Sequence, residues 1–595
     1  MHASRSEPEK GPRPALDRRR LLAWCSAAGL SGTLFPGALA AAAREAERIT
    51  PEIVAAAERI AGLSFTERER REAARGLNRL EADFKALRSL SMANGVLPAL
   101  VFDPAPPGKD SPPPAPGEEP VKRGRQEKAG AAGSGKGGAA GDERPGDLEE
   151  AAFFPVTRLA RLVRERKVTS VELTRMYLDR LERYDPLLRC VVTLTRERAL
   201  EEADRADREL AAGRYRGPLH GIPWGAKDLF AAKGYPTTWG AAPFKDQVID
   251  EDAAVVERLG RAGAVLAAKL SLGALAMGDR WFGGRTRNPW NPEQGSSGSS
   301  AGPACAAAAG LTGFTLGTET RGSIVSPCRR CGAAGLRPTF GRVSRYGAMC
   351  LSFSMDKVGP ICRTVEDCAL VFEAIQGPDP RDRATRDAPP FSWDPDRDPA
   401  GLRVGYSRKL LEGKPSGRRA REWREAHARA LEVLRGLGVR LVPREWPDFP
   451  SGNLNFILVT EAAAAFDDLT RSRRDRLLTS NDWPALFRRH RFVPAVEYLR
   501  AQRARTRLME EMARFFDGID LYLGSRLGIT NLTGHPEVVL RAGFREDGTP
   551  YGISFTGRLY GEADLLLVAH RFEEAVGAYR RHPRLPEPGG KEGKE

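Results

Sequence analysis

The sequence contains no uninterrupted apolar run of the ~20 residues that a membrane-spanning helix needs. It has only eight cysteines and seven histidines among 595 residues, which is sparse for a disulfide scaffold. Cys328 and Cys331 form a C-x-x-C pair, but no second C-x-x-C and no H-x-x-x-H completes a zinc site. We therefore expect no metal centre, and we interpret the pair as two packed thiols whose pairing state is open.

Signatures of nucleic-acid binding are also absent. The formal net charge is +15, and arginine-rich stretches occur at 418–424 and 471–476, but acidic residues are interspersed among them as on solvated helix faces. No zinc finger or RNA-recognition motif accompanies them. With 41% hydrophobic and 29% charged residues, the composition is typical of a soluble globular protein. We expect no nucleic-acid partner, because the charges are interspersed and no binding motif accompanies them.

Residues 1–40 have the three parts of an export signal. Three arginines at 18–20 precede an apolar stretch that ends at Phe35, and residues 38–40 (Ala-Leu-Ala) fit a cleavage site. The paired arginines indicate the twin-arginine route. We expect a periplasmic or extracellular protein with no stable membrane insertion after cleavage. The alternative is a disordered basic leader on a cytoplasmic protein.

The rest of the chain divides by composition and periodicity. Apolar residues at helical spacing predict a helical hairpin within 41–102, with its turn at 64–66. Residues 103–150 are dominated by Pro, Gly, Ala and Lys, which predicts a disordered linker. A large catalytic domain is expected at 151–585, followed by a disordered tail at 586–595.

Amphipathic patterns at the start of the large domain predict two helices. The first covers 156–166 and the second 170–184, with Ser170 as its N-cap because a serine hydroxyl accepts from the first free N–H groups of a helix.

Ser323 lies in a turn of small residues at 317–324 (Gly-Thr-Glu-Thr-Arg-Gly-Ser-Ile), directly after the apolar run 314–316. A strand that ends in such a turn presents backbone N–H groups to a reacting carbonyl. Removing one such donor from an active site costs ~3–4 kcal/mol of transition-state stabilisation. Alone, the turn is a weak signal.

Two upstream segments add polar side chains. Residues 295–302 (Gly-Ser-Ser-Gly-Ser-Ser-Ala-Gly) form a loop, here called the serine loop, and the alanine-rich run 304–309 predicts a helix after it. Residues 221–228 place Lys227 among small and apolar neighbours, where desolvation would lower its pKa and let it act as a base near pH 7. Taken alone, the serine loop could be a flexible turn and Lys227 could be a surface lysine, neither with a catalytic role.

In this order and spacing, the three segments resemble the amidase signature family, whose pattern is G-x-P-x-x-x-K-D, then G-G-S-S-G-G, then D-x-G-G-S. Ser323 follows Ser299 by 24 residues, which is the family separation and points to Ser299 as the bridging serine. The resemblance extends over residues 154–579 and is weakest between 380 and 520.

By that resemblance Ser323 is the nucleophile, Ser299 relays its proton next to a cis peptide, and Lys227 is the final base and acid. The implied reaction converts a carboxamide and water to a carboxylate and ammonia or an amine through an acyl-enzyme. No cofactor is implied. The implied partner is a small-molecule amide whose identity the sequence leaves open, and a homodimer is the candidate assembly.

The resemblance also implies an α/β fold, with a mixed, twisted central sheet flanked by helices on both faces and the N-terminal helical hairpin in addition. Four main-chain donors, here called the oxyanion turn, would form the oxyanion hole: Thr320, Arg321, Gly322 and Ser323. Ser300 and Gly298 would support the serine loop and Lys227.

The sequence departs from the family pattern at four positions. Ser297 and Ala301 stand where the pattern has glycine, and Glu319 stands where it has aspartate. Arg321 replaces a glycine inside the oxyanion turn, which main-chain donors tolerate if its φ is negative. We interpret the Arg321 side chain as a specificity determinant that narrows the pocket or meets an acidic substrate.

Three alternatives stay open. Residues 298–302 also fit the G-x-S-x-G elbow of α/β-hydrolases, with Ser300 as nucleophile and His535 or His570 as base, although the turn-rich segment 288–292 disfavours the strand that this motif requires. The A-type component of a tRNA-dependent amidotransferase has the same fold and uses glutamine, but export would separate it from charged tRNA. The third alternative is an inactive binding homologue.

Overall fold

The computed structural model describes residues 49–90, 100, 143–414, 417–478 and 482–586. The predicted export signal, the predicted linker before residue 143 and the predicted tail after residue 586 lie outside the described residues. Within the described part, no helix combines the length and the apolarity needed to cross a membrane.

Fifteen strands are found in the described residues, and eleven of them form one sheet. The strands are β1 (Val191–Leu194), β2 (Pro223–Lys227), β3 (Val265–Leu270), β4 (Arg280–Trp281), β5 (Gly284–Arg285), β6 (Arg287–Asn288), β7 (Asn291–Gly295), β8 (Phe314–Glu319), β9 (Ala334–Arg337), β10 (Lys357–Cys362), β11 (Arg403–Tyr406), β12 (Arg440–Pro443), β13 (Leu521–Leu523), β14 (Glu537–Phe544) and β15 (Pro550–Gly557). Two small sheets, β4 with β5 and β6 with β7, stand apart from the large one.

The large sheet is mixed, and its order is β1-β3-β2-β8-β10-β9-β14-β15-β13-β11-β12. Strand β2 lies parallel to both β3 and β8, whereas the strands from β8 through β10, β9 and β14 to β15 pair antiparallel. Parallel neighbours end at the same edge of a sheet. The last residues of β2 and β8, Lys227 and Glu319, therefore lie at one edge, where the predicted catalytic segments begin.

Seventeen α-helices and six 3-10 helices complete the described part. The α-helices are Pro51–Ala61, Glu67–Arg88, Val156–Arg164, Ser170–Leu188, Arg196–Ala211, Ala254–Arg261, Ala301–Ala308, Val325–Cys331, Val365–Ile375, Arg408–Glu412, Arg418–Gly436, Phe456–Ala465, Asp467–Arg471, Trp483–His490, Ala495–Phe515, Leu527–Thr533 and Glu562–Val576. The 3-10 helices are Leu148–Phe153, Ala242–Phe244, Ala274–Ala276, Ser451–Leu454, Arg474–Leu477 and Ala578–Arg580.

The central strands are buried along their whole length and are covered on both faces. Strands β2, β3 and β10 are buried at every residue, which is characteristic of strands covered on both sides. Helices Ser170–Leu188, Arg196–Ala211 and Ala301–Ala308 share one apolar cluster with β3. The predicted α/β fold with a mixed, helix-flanked sheet is confirmed.

The predicted helical hairpin is present, as helices Pro51–Ala61 and Glu67–Arg88. The first ends at Gly62 in the left-handed conformation (φ 64°), and the second begins with a capping box in which the side chains of Thr66 and Glu69 each accept from the other residue's backbone N–H. These caps fix the turn of the hairpin within residues 62–66.

Two compact units divide the chain, and the hairpin belongs to the smaller one together with residues 453–475 and 482–504. In that unit the ring of Phe84 packs edge-on against Phe456 with centroids 5.3 Å apart. The central sheet belongs to the larger unit. Sequence reasoning predicted the hairpin but not its partners, because they lie several hundred residues further along the chain.

Three local predictions need correction. The second helix of the large domain runs over Ser170–Leu188, and its N-cap is Thr169, because the Thr169 hydroxyl accepts from the N–H of Glu172. The Ser170 hydroxyl instead donates to the carbonyl of Gly221 at 2.8 Å. The helix predicted at 156–166 ends at Arg164. The 3-10 helix Leu148–Phe153 begins inside the predicted linker, so regular structure starts before residue 151.

Candidate active site

Lys227 ends strand β2 with its side chain buried among hydroxyl groups. Its Nζ donates to Ser299 Oγ at 2.9 Å, to Ser300 Oγ at 3.1 Å and to Thr318 Oγ1 at 2.9 Å. Burial lowers the pKa of Lys227 to about 7, although the carboxylates of Asp356 and Glu319 act in the opposite direction. A neutral amine in contact with a serine hydroxyl is therefore accessible near neutral pH.

The serine loop lies so close to the backbone of Gly278 that position 298 can hold only glycine. The peptide bond between Gly298 and Ser299 is cis. A Cβ on Gly298 would lie 1.8 Å from the carbonyl oxygen of Gly278, so no side chain fits there. Ser297, which replaces a family glycine, adopts a left-handed φ of 64°, a conformation that favours glycine.

Ser300 links the serine loop to strand β8 and to the oxyanion turn. Its hydroxyl donates to the carbonyl of Thr318 at 3.0 Å and accepts from the N–H of Thr318 at 3.1 Å. Its own N–H donates to the carbonyl oxygen of Ser323 at 3.0 Å. A Cβ on Gly317 would lie 2.7 Å from Ser300 Oγ, which explains the small residue at that position of β8.

The oxyanion turn is anchored by the buried carboxylate of Glu319. One oxygen accepts from the N–H groups of Ile324 and Val325, at 2.9 and 3.0 Å. The other accepts from Arg337 Nη1 at 2.6 Å and Asn531 Nδ2 at 2.9 Å. Burial alone would raise the pKa of Glu319, but Arg337 and these hydrogen bonds outweigh it and bring the pKa down to about 2.

Arg321, which replaces a glycine of the family pattern in the oxyanion turn, does not require a strained backbone conformation. The left-handed residue in this turn is Gly322 (φ 99°), and Arg321 has no positive φ. The Arg321 side chain is exposed. The Thr320 hydroxyl donates to Asp356 Oδ1 at 2.6 Å, which fixes the first residue of the turn.

The three residues predicted to form the triad come from separate segments that meet at this sheet edge. The structure joins Lys227 to Ser299 by a hydrogen bond between their side chains. It joins Ser323, which is half-buried, to the serine loop through the backbone contact with Ser300. The relay from Ser323 to Ser299 remains a prediction.

His535 and His570, the candidate bases of the alternative G-x-S-x-G mechanism, contact residues other than Ser300. His535 Nδ1 lies 2.8 Å from Thr533 Oγ1, and burial lowers the pKa of His535 to about 3. His570 Nε2 lies 3.6 Å from a Glu574 oxygen. A short strand, β7, does precede the serine loop, contrary to our expectation, but it pairs only with β6 and lies outside the large sheet. Neither histidine is placed as a base for Ser300.

Cys328 and Cys331 are both buried and form no disulfide. Their sulfur atoms face the carbonyl oxygens of Ala334, at 4.0 Å, and Ser296, at 3.6 Å. Burial raises the pKa of both thiols, so neither is a ready thiolate. In the part of the chain that the structure describes, no group of three or more His, Cys, Asp or Glu side chains is arranged to hold a metal ion.

Sequence reasoning missed three residues that shape the site: Thr318, Asp356 and Asn531. Thr318 could have been found, because it lies in the same short segment, 317–324, that carries Ser323. Asp356 and Asn531 carry no local signal, since their roles depend on contacts with residues 36 and 212 positions away.

Comparisons with known proteins identify the family of this chain. A family model described as Amidase matches residues 172–525. The chain is 34% identical over 469 residues to the A-type component of glutamyl-tRNA(Gln) amidotransferase from Geobacter metallireducens, covering 70% of this chain and 95% of that protein. The crystal structure of peptide amidase from Stenotrophomonas maltophilia superposes with a TM-score of 0.66 at 30% identity, covering 73% of this chain and 99% of that one. The protein therefore belongs to the amidase signature family and is an amide-hydrolysing enzyme.

Proposed function

We propose that the enzyme hydrolyses a small carboxamide through a relay from Ser323 to Ser299 to Lys227. The observation that carries this proposal is the 2.9 Å hydrogen bond between the buried Lys227 amine and the Ser299 hydroxyl. A lysine with its usual pKa would be charged at pH 7 and unable to accept a proton, whereas a pKa of about 7 leaves a substantial neutral fraction.

The first half-reaction forms an acyl-enzyme. Neutral Lys227 takes the hydroxyl proton of Ser299 as Ser299 takes that of Ser323, and Ser323 Oγ bonds to the amide carbon. The negative charge that develops on the carbonyl oxygen is stabilised by N–H groups of the oxyanion turn. The proton returns through Ser299 to the leaving nitrogen, the carbon–nitrogen bond breaks, and ammonia or an amine departs.

The second half-reaction reverses the same relay with water. Lys227 and Ser299 remove a proton from water as its oxygen attacks the acyl carbon. Collapse of the second tetrahedral intermediate breaks the ester bond, and the proton passes back to Ser323. The products are a carboxylic acid and a regenerated enzyme, and the overall balance is amide plus water to acid plus amine.

Ser323→Ala is the direct test of the nucleophile. We expect the variant to lose fluorophosphonate labelling and at least ~10³-fold in kcat across a panel of amides, with unchanged melting temperature. Ser326→Ala is the matched control, because Ser326 is another half-buried serine just inside helix Val325–Cys331. Persistent labelling of Ser323→Ala, or loss of label in Ser326→Ala alone, would refute the assignment.

The pH dependence of labelling tests Lys227. Because the neutral amine is the active form and its pKa is about 7, the labelling rate should rise with pH through 7 and level off about one unit above it. The measurement is the second-order rate constant for fluorophosphonate between pH 5.5 and 9. Lys227→Met should label slowly at every pH. A profile that is flat across neutrality, with the wild-type rate high throughout, would contradict the role of Lys227.

Glu319→Gln tests whether the buried carboxylate aligns the oxyanion turn. A glutamine NH₂ would face N–H donors in either orientation, because each Glu319 oxygen accepts two of them. We expect kcat to fall ~10²-fold, the scale of losing one oxyanion donor. Glu537→Gln is the control, since Glu537 also lies beside Arg337, at 3.3 Å, but on strand β14 and not in the turn. Equal losses of kcat in both variants would show a general effect of charge and not of alignment.

A glutamine-using component of a tRNA-dependent amidotransferase is the second candidate function, because the curated relative from Geobacter metallireducens carries that name. We favour hydrolysis because we also propose that residues 1–40 export the protein, away from charged tRNA. Fractionation of cells that express the full chain tests both ideas. We expect a shortened chain outside the cytoplasm, and a full-length cytoplasmic protein that co-purifies with a B-type component would favour the amidotransferase.

A further inference from the structure

A cavity of about 200 Å³ opens beside the catalytic centre in the larger unit. Thr318 and Thr320, at the end of β8 and the start of the oxyanion turn, form one wall. Apolar side chains make up much of the remaining lining, among them Leu229, Met349 and Leu351. Five charged residues also line the cavity: Arg345, Asp356, Lys357, Arg381 and Asp382. A cavity of ~150 Å³ with apolar walls holds a benzene molecule, so this one has room for a single ring or a branched alkyl group.

The loop that closes the cavity is held in place before any ligand binds. Asp356 Oδ2 accepts from the N–H groups of Leu351 and Ser352, at 2.7 and 2.8 Å. Arg345, paired with Asp382 at 3.0 Å, donates to the carbonyl of Phe353 at 2.9 Å. A pocket whose walls are fixed in this way is typical of a binding site.

The charged residues that line the cavity are engaged with the protein. Asp356 also accepts from the Thr320 hydroxyl, and the buried Lys357 amine donates to the carbonyl of Met355. Phe353, at the edge of the cavity, has 53% of its surface exposed. An exposed aromatic ring at the entrance and apolar walls inside favour an uncharged, apolar group as the occupant.

The position of the cavity indicates which side of the scissile amide it receives. Thr318 lines the cavity, and its hydroxyl accepts from Lys227 Nζ at 2.9 Å. In the proposed mechanism the proton that reaches the leaving nitrogen returns through Ser299 from Lys227. The leaving nitrogen must therefore face the side of the site on which Lys227 and Thr318 lie.

From these observations we propose that the cavity binds the amine substituent of a secondary amide, with an apolar group of about one aromatic ring, and that the enzyme cleaves N-substituted amides in preference to primary carboxamides. This inference rests on the proposed function, because the relay defines the leaving-group side. It goes beyond it by naming the substrate class.

Three amides that share one acyl chain length separate the two sides of the bond: propanamide, N-benzylpropanamide and 3-phenylpropanamide. We expect wild-type kcat/KM to be highest for N-benzylpropanamide. Ala348→Phe, which adds a ring to the cavity wall, should lower the ratio of kcat/KM for N-benzylpropanamide over propanamide by about tenfold or more. The exposed Phe353→Ala should lower the same ratio without adding bulk. Ala212→Phe, at an exposed helix end, is the control and should leave it unchanged.

The proposal is overturned if Ala348→Phe and Phe353→Ala leave that ratio at its wild-type value. It is equally overturned if they change the ratio for 3-phenylpropanamide instead, because the cavity would then hold the acyl group.

A second measurement uses the wild-type protein and does not depend on turnover of a substrate. The half-buried Cys350 thiol lines the cavity, so benzylamine, the leaving amine itself, should slow alkylation of Cys350 by iodoacetamide, read by mass spectrometry. Fluorophosphonate labelling of Ser323 is followed in the same samples. Labelling without protection of Cys350 overturns the cavity assignment while the relay stands. Protection without labelling shows that the cavity binds an apolar group but refutes Ser323 as the nucleophile, and the assignment of the cavity to the leaving amine is then overturned.

Discussion

A single buried contact, between the amine of Lys227 and the hydroxyl of Ser299, sets the conditions that the surrounding structure must meet. An ammonium ion in an apolar environment is costly, and burial therefore shifts this group toward its neutral form. Hydroxyl oxygens from Ser299, Ser300 and Thr318 satisfy the amine without supplying a counter-charge that would hold it protonated. The hydroxyl groups thus provide hydrogen bonds for the buried lysine, and its pKa is lowered to about 7.

At Glu319, at the end of the neighbouring strand β8, burial also disfavours the charged form, but the surrounding groups keep this side chain charged. This carboxylate is buried as deeply as the lysine, but four N–H donors keep it ionised. A buried ion pair contributes little net stability compared with apolar packing, while removing one partner is strongly destabilising. Glu319 connects Arg337 to the oxyanion turn, because one of its oxygens accepts from Arg337 and the other from the N–H groups of Ile324 and Val325. Two neighbouring parallel strands, β2 and β8, thus end in an amine whose pKa burial lowers to about 7 and in a carboxylate whose pKa is held at about 2.

Helices in this chain take their positions from apolar faces that have no partner nearby in sequence. Glu67–Arg88 is amphipathic, with Leu77, Leu80 and Phe84 buried. A hairpin of two helices has too little core to be stable alone, and helices from the middle of the chain supply the missing surface. These helices fall within residues 380–520, where the resemblance to the family pattern is weakest.

Much of this protein follows from its sequence alone. The order and spacing of Lys227, Ser299 and Ser323 indicated the family, and the fold followed from that resemblance. Caps and local periodicity predicted the two helices of the hairpin and three helices of the large domain, with an error at Ser170, where two adjacent hydroxyl residues compete for one cap. Only the tertiary structure decided which groups surround the lysine, that Asp356 and Asn531 brace the turn, and where a cavity opens beside Thr318. The reason is physical: pKa values, hydrogen-bond partners and cavities depend on distances between residues far apart in the chain, and local sequence patterns do not specify those distances.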